Sequence, residues 1–425
     1  MLHCTARCRR FSAPSHRSKV GVPETFDLVI LGGGCAGLSL SMALAAQGAR
    51  CPRTLVIESR TAYSNDRTWC FWRDRSAPDP YPVRHSWPSM RVSHAGQSVV
   101  LDCGSAPYQM LTAQDFYAAG QASIDQQANM VLRLGTSVVA EPSRSGIGWT
   151  IRTSAGTVTA HAVVDTRPPQ PQRHGGATLW QSFYGREIEC SAPVFDPLTV
   201  DLMDFLTSDT PDTPDTPDTP DAGDVRFIYV LPVTPTRALV EVTAFGATPL
   251  APRDLSAQLD AALAQRVCGA AYTTLRSEHG VLPMGLLDTP RSGHPSYVKV
   301  GVMAGGARPS TGYAFQRIQQ WAGECAHALL SHGQPVGHQR DPWALRSMDQ
   351  IFLDVLRANP SRGAALFFSL FSRTDAARVI RFLSGHAGVV DSLAVVAAMP
   401  VLPFASAALT AWRRRGGTSE VGSVA

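Results

Sequence analysis

Apolar positions along this 425-residue chain follow two rhythms, one of strands and one of helices. Phe26 to Leu31 is an apolar, β-branched run of the kind a buried parallel strand needs. Residues 38–48 are rich in Ala and Leu and end at Gly48, which predicts a helix with a C-terminal glycine. Leu55-Val56-Ile57 predicts a second buried strand, closed by Glu58. Residues 90–102 and 146–165 alternate apolar and polar positions, as strands do. The second of these stretches ends on Ala162-Val163-Val164-Asp165, a strand placed to return to the first sheet. Further strands are expected at 226–232 and 237–245, joined by a turn containing proline, and at 298–306, which ends in glycines. Leu255, Leu259 and Leu263 fall at helical spacing within 254–268, and periodic apolar positions over 341–385 predict packed helices. Residues 60–75, rich in aromatic and basic groups, are expected to form a loop over a ligand.

Two stretches break this pattern. Residues 209–221 read DTPDTPDTPDTPD, and proline at every third position forbids helix and sheet, so an extended solvated surface tract is expected. Residues 392–412 form the one apolar stretch that approaches the ~18 uncharged residues of a membrane span. Pro400 and Pro403 would break it into two short helices, either a hairpin touching a membrane or a buried core element.

Composition adds bounds. The length suits two domains, and an apolar fraction of 44% is ordinary for a globular protein. A net charge of +4 gives no argument for a nucleic-acid partner. Residues 1–23 hold five basic side chains and no acid, and they lack the apolar core of a secretory signal. Residues 1–24 are expected to be a disordered tail or a start-site artefact, although their Arg/Ser bias resembles a transit peptide. The nine cysteines form no C-x-x-C pair, which suits a reducing cytosol, and Cys35 reads as a small buried residue. No metal-ligating set is expected.

The chemistry begins at Gly32, Gly34 and Gly37, a G-x-G-x-x-G turn between the first strand and the first helix. Gly32 permits the tight turn, Gly34 lets a pyrophosphate approach the backbone, and Gly37 lets helix and strand pack closely. The helix N-terminus offers free N–H groups to phosphates. Glu58, 21 residues after Gly37, is placed to accept hydrogen bonds from a ribose. Together these parts predict a bound dinucleotide. Late in the chain, a strand ends at Gly305-Gly306, and Thr311-Gly312-Tyr313 leads into a helix. In two-part dinucleotide-binding flavoproteins such a unit closes on the flavin, where a helix N-terminus stabilises negative charge on the reduced ring.

Over roughly residues 25–400 the chain resembles the bacterial lycopene β-cyclase family of flavoproteins. The resemblance rests on the glycine unit, on Asp66-Arg67-Thr68-Trp69 with Phe71, on Trp180 to Gly185 and on Thr199 to Phe205. It continues through Phe227 to Pro232, Gly280 to Met284 and Arg308 to Tyr313. It implies an α/β fold: a Rossmann-like FAD-binding domain of the two-dinucleotide-binding-domain flavoprotein type, an inserted β-sheet substrate domain and a C-terminal helical region. The expected bounds are 25–90, 140–175 and 295–330 for the FAD domain, 91–139 and 176–294 for the substrate domain, and 331–425 for the membrane-proximal helices.

The resemblance also implies an activity. FAD in its reduced form, with NADPH or NADH as electron donor, would serve a non-redox isomerase that closes the ends of lycopene, or a related acyclic carotenoid, into β-rings. A proton adds to the terminal double bond, the cation closes the ring, and a neighbouring proton leaves. Such a cation needs a dry site with aromatic faces; Trp69, Phe71, Trp72, Trp180, Phe183, Tyr184, Phe227 and Tyr229 are the candidates. The family's acidic strand motif matches Leu239-Val240-Glu241-Val242-Thr243, which makes Glu241 the catalytic candidate and replaces a second acid by Val242. Apolar neighbours would favour its neutral, proton-donating form. Arg67 is a candidate for a cofactor phosphate or carboxylate, and Asp165 falls on the strand returning to the cofactor. Glu278 and His279 are weaker candidates that a solvated turn explains as well. A flavin monooxygenase or dehydrogenase on the same scaffold is the alternative. A bilayer-borne substrate implies a cytoplasmic protein at the membrane surface, touching it through 388–412 and Arg413 to Arg415.

Overall fold

The computed structural model describes residues 23–77, 81, 83–146, 148–168, 177–205, 223–287 and 293–400. Most of the N-terminal tail, the Asp-Thr-Pro tract and everything after Pro400 lie outside the described residues.

In chain order the elements are β1 (Glu24–Leu31), α1 (Cys35–Ala45), β2 (Thr54–Ile57), β3 (Thr68–Trp72), β4 (His85–Trp87), β5 (Ser89–His94), β6 (Gln97–Asp102), β7 (Tyr108–Thr112) and α2 (Ala113–Asp125). There follow β8 (Met130–Arg133), β9 (Ser143–Ser145), β10 (Gly148–Thr153), β11 (Gly156–Asp165), β12 (Leu179–Cys190), β13 (Thr199–Phe205), β14 (Val225–Pro232) and β15 (Arg237–Gly246). The chain continues through α3 (Pro252–Val267), β16 (Tyr272–Met284), β17 (Tyr297–Lys299), α4 (Phe315–His332), α5 (Trp343–Ala358), α6 (Gly363–Arg373), α7 (Ala376–Leu383) and α8 (Val389–Ala398).

The first sheet runs β8-β2-β1-β11-β10-β9, with β17 also paired to β11. Its centre is parallel, with β1 between β2 and β11. Leu31 stands opposite Asp165, so the second alternating stretch does return to the first strand. Leu28 and Ile30 of β1 pack in one cluster with α1, α2 and α4. The remaining inward positions of β1, Phe26, Val29 and Leu31, meet Trp149, Ile151 and Tyr297 on the other face.

The second sheet runs β16-β12-β15-β14-β13-β5-β6 and is antiparallel except where β13 meets β5. Alternation along β15 decides its two faces. Val240, Val242 and Ala244 pack on α3. Leu239 and Phe245 face the opposite way, into a core shared with α5, α6, α7 and α8. Helices therefore cover both faces, which is why almost all of β15 is buried. A three-stranded sheet, β3-β7-β4, makes up the third unit.

Several expectations change. The first helix starts at Cys35 and ends at Ala45, and Gly48 opens a short 3-10 turn instead of capping that helix. The second half of the 60–75 loop is β3, because its aromatic side chains pack on β7 and α4. The strand expected over 298–306 stops at Lys299; Gly301 takes a φ of +106° and Val302–Ala304 form a 3-10 turn. The 91–139 segment does not sit with the second sheet as a whole. α2 packs on α1, and β8 pairs with β2, so residues 113–133 belong to the first sheet. β5 and β6, by contrast, join β13 in the second sheet as the 91–139 bound expects, with only Ser89 and Met90 falling on the other side of it.

Candidate active site

Four adjacent strands of the second sheet place Tyr229, Glu241, Gly185 and Glu278 in one row. Residues in register on neighbouring strands point to the same face, and here that face is the one packed on α5 to α8. Gly185 has no side chain, so the two glutamates face each other across a gap in the row. Val242, where the sequence lacks the family's second acid, points to the opposite face against α3. A second carboxyl on the acid face is supplied instead by Glu278 on β16. It is not in a solvated turn but buried, at 4% exposure.

Glu241 is 7% exposed, and its Oε1 accepts a 2.8 Å hydrogen bond from Thr243. Burial, reinforced by the charge of Glu278, pushes its carboxyl up to about 8, against the opposing pull of Thr243 and Arg276. Burial also raises Glu278, but Arg276 donates to its Oε2, and Thr68 donates to it at 2.8 Å. Arg276 bonds Glu187 at 2.6 Å and Thr68 at 2.8 Å. Beside Glu241, the Tyr229 and Tyr108 hydroxyls meet at 2.9 Å. Trp72 lies 4.6 Å from the Tyr108 ring and 5.4 Å from that of Tyr313. Leu239, Phe227 and Phe245 complete an apolar wall. This is a water-poor place where a carboxylic acid stays protonated near neutral pH and aromatic faces can tolerate a positive charge.

The glycine turn is a second centre. Gly32 takes a φ of +99°, which favours glycine. A Cβ on Gly37 would stand 1.9 Å from the Gly32 carbonyl oxygen, so that glycine lets α1 lie against β1. A Cβ on Gly34 would meet nothing within 4 Å, which leaves open space in front of the helix N-terminus. Glu58 is buried, and its oxygens accept from the Gly33 and Arg60 N–H groups, each at 2.8 Å. Burial opposes its ionisation, but these bonds and the Arg60 guanidinium hold it below the usual carboxylate range. Arg67 is half exposed, pairs with Asp66 at 3.0 Å, and its charge reaches Cys35 at the first turn of α1. Burial pushes the Cys35 thiol up to about 12, so it stays inert.

Asp165 does not offer its carboxylate to a cofactor. Arg167 and the Tyr297 hydroxyl take both oxygens at 2.7–2.8 Å, so it clamps the end of β11 to β17. Gly305 takes a φ of +89°, and a Cβ on Gly306 would clash with the Gly301 carbonyl and with His338. Gly306 is packed within the turn, whereas Gly305 borders a cavity of about 780 Å³. Gly312, with a φ of +71°, lies against Gln181, where a Cβ would stand 2.6 Å from Oε1. That buried amide oxygen has no hydrogen-bond partner among the described residues. Thr311 accepts only a long 3.4 Å bond from the Tyr313 N–H, and α4 begins at Phe315 without a side-chain cap. Gln181 and Gly185 lie on one face of β12 four residues apart, about 13 Å. β12 thus connects the Gly312 loop to the acid row. The open space at Gly34 and the unpartnered Gln181 oxygen are what a dinucleotide with a flavin head would fill, so the residues present fit such a group.

A family model described as lycopene cyclase protein matches residues 27–409. The chain belongs to the lycopene cyclase family. It is an enzyme of the intramolecular isomerase type. It is 28% identical over 403 residues to the lycopene beta-cyclase of Paracoccus sp., covering 90% of this chain and 96% of that one. It is 24% identical over 412 residues to the lycopene beta-cyclase of Pantoea ananas, covering 90% and 97%. Among solved structures, a flavin-dependent brominase matches with a TM-score of 0.57 at 15% identity, covering 92% of this chain and 100% of that one. That likeness shows the fold, an α/β flavoprotein architecture with a Rossmann-like sheet.

Within this cyclase-family fold, Gly185, Gln181, Thr68, Tyr108 and Arg276 were not singled out as site residues from the sequence. A signal existed for some of them. Gln181, Phe183 and Gly185 alternate along one strand, and Arg276, Glu278 and Gly280 along another. Only the register between those strands shows that the two sets share a face.

Proposed function

We propose that this chain is a lycopene β-cyclase that converts the ends of lycopene, or a related acyclic carotenoid, into β-rings by acid catalysis without net redox change. The observation that supports it most is Glu241, a buried carboxyl raised toward its neutral form and bordered on its Tyr229 side by aromatic and aliphatic side chains. In this reading Glu241 gives its proton to the terminal double bond. Trp72, Tyr229 and Phe227 border the resulting cation and exclude water, the ring closes, and a carbon next to the cationic centre returns a proton to the Glu241 carboxylate, leaving the ring double bond. Gly32, Gly34 and Gly37 would hold the FAD pyrophosphate and Glu58 its ribose, with Arg67 beside the phosphates. Gly305, Gly306, Thr311 and Gly312 would shape the turn at the flavin, with Gln181 against it. FAD, reduced by NADPH or NADH, would supply an electron-rich ring that favours positive charge nearby.

The substrate lies in a bilayer, so the enzyme would meet it at a membrane surface on the cytoplasmic side. No helix among the described residues is long and apolar enough to cross a membrane. α8 nevertheless turns Val389, Val390, Leu393 and Val396 outward, each more than half exposed. An apolar helix face of this kind suits shallow insertion. A cleft of about 710 Å³ opens between α7 and β3, bordered by Phe71, Trp72 and Phe315. α7 packs against α8, so in this reading the cleft would admit substrate from the lipid as far as Trp72.

Expression in a lycopene-accumulating bacterium tests the reading. New β-ringed pigments of unchanged mass are expected on chromatography. A pigment carrying an added oxygen would instead select the monooxygenase alternative.

A further inference from the structure

The proton on Glu241 needs an explanation beyond burial, and its surroundings supply one. On β14 the facing titratable group is Tyr229; on β7 it is Tyr108, and before α4 it is Tyr313. Burial drives all three hydroxyls above their ordinary range, so they stay neutral. Cys70 on β3 is raised in the same way. The charged groups come from β12, β16 and the start of β15. Glu187 is paired with Arg237 and Arg276, and Arg276 also holds Glu278. Two anions therefore already balance two cations. Ionising Glu241 would add a third anion, bonded among the described residues by the Thr243 hydroxyl and facing an Arg276 already paired twice.

We propose that Glu278, fixed as a carboxylate by Arg276 and Thr68, is a positioning residue whose charge across Gly185 keeps Glu241 protonated, so that the two acids hold one proton between them. The inference rests on the reading of Glu241 as proton donor. Its geometry is the row itself: both glutamates stand opposite Gly185 on the same face, and the Glu241 Cβ and Cγ crowd the space above the glycine. Thr68 completes the device. It comes from β3, outside the second sheet, and both donates to Glu278 and accepts from Arg276. That ties the protonation state of Glu241 to the docking of the small sheet on the large one. The arrangement also supplies from β16 the acid that Val242 fails to supply from β15.

The test uses the purified, flavin-bearing enzyme with lycopene in liposomes, and two readouts. One is the pH dependence of kcat; the other is the carboxylic-acid stretch of Glu241 in infrared difference spectra, assigned by its loss in E241Q. E278Q should fold, retain activity at low pH and move both the alkaline limb and the infrared midpoint down by about one pH unit or more, as loss of a like charge dictates. E278D withdraws the charge by one methylene and should move both in the same direction by less. Should E278Q fail to fold, E278D alone decides, and an unchanged midpoint in it overturns the proposal. If E241Q abolishes ring closure while neither Glu278 variant moves the midpoint, only this inference falls. If E241Q leaves ring closure intact, the reading of Glu241 as proton donor falls first.

Discussion

Glu241 leans over Gly185: a Cβ built at position 185 would stand 3.1 Å from the Glu241 Cβ and 3.3 Å from its Cγ. Contacts that short force the neighbour to move by a few tenths of an ångström. Gly185→Ala should leave the fold intact, because the sheet hydrogen bonds are unaffected, but should displace the acid. A loss in kcat of about 10-fold, and at most about 10²-fold, is expected from such a misplacement. Steady-state cyclisation beside a thermal melt checks it; unchanged kcat with a normal melt would contradict the role given to this row.

The three glycines of the nucleotide turn should fail in different ways. Gly37→Ala puts a Cβ 1.9 Å from the Gly32 carbonyl oxygen and should prevent soluble folding. Gly34→Ala meets no protein atom, so the apoprotein should melt as the wild type does while losing bound flavin. Flavin absorbance per protein, measured together with the apoprotein melting temperature, separates the two outcomes. Equal flavin content in Gly34→Ala and wild type would show that the open space in front of α1 is not the phosphate site.

Stability should fall with rising pH through Glu241. Its folded-state carboxyl is raised to about 8 from an ordinary 4.5. Between those values the native state binds a proton that the unfolded chain has released, so the unfolded state gains relative to the native one as pH rises. The contribution is complete below about 4.5 and is lost as pH passes through about 8. Glu241→Gln cannot ionise, so its melting temperature should decline less between pH 5 and pH 9 than that of the wild type. Parallel melts across that range provide the comparison; identical slopes would mean that Glu241 is ionised in the folded protein.

The outward face of α8 should contribute to lipid binding. Val389 is 77% and Leu393 63% exposed, so replacing Leu393 and Val396 by Asp removes no core contact. The double variant should melt normally and co-sediment several-fold less with anionic liposomes. Cyclisation of detergent-dispersed lycopene should be retained. Wild-type co-sedimentation would place the membrane contact elsewhere on the chain.

Local rules were enough for the glycine turn, for the alternating strands and for the packed helices of 341–385. Backbone sterics and the burial of a periodic face act within a few residues of sequence, so those elements could be read without a partner. They showed Glu241 among apolar neighbours, but it was the family's acidic strand motif that made it the candidate. They misplaced the 298–306 strand, where the φ of Gly301 ends pairing at Lys299. They likewise placed β8 with the wrong sheet, because a four-residue strand carries no mark of which edge it will join.

What the chain could not show along its length was company. Glu241 and Glu278 are separated by α3 and the turn after it, and they meet only because β12 pairs with β15 on one side and β16 on the other. Side-chain direction follows from strand alternation and is written locally. Which strands are neighbours, and in what register, is decided by long-range hydrogen bonding and by the helices that bury both faces. The sequence therefore determined that an acid stands among apolar neighbours and that a glycine turn between strand and helix precedes it. The tertiary structure alone decided that the acid has a charged partner across a glycine, and that the glycine's strand, β12, leads to the loop at Gly312.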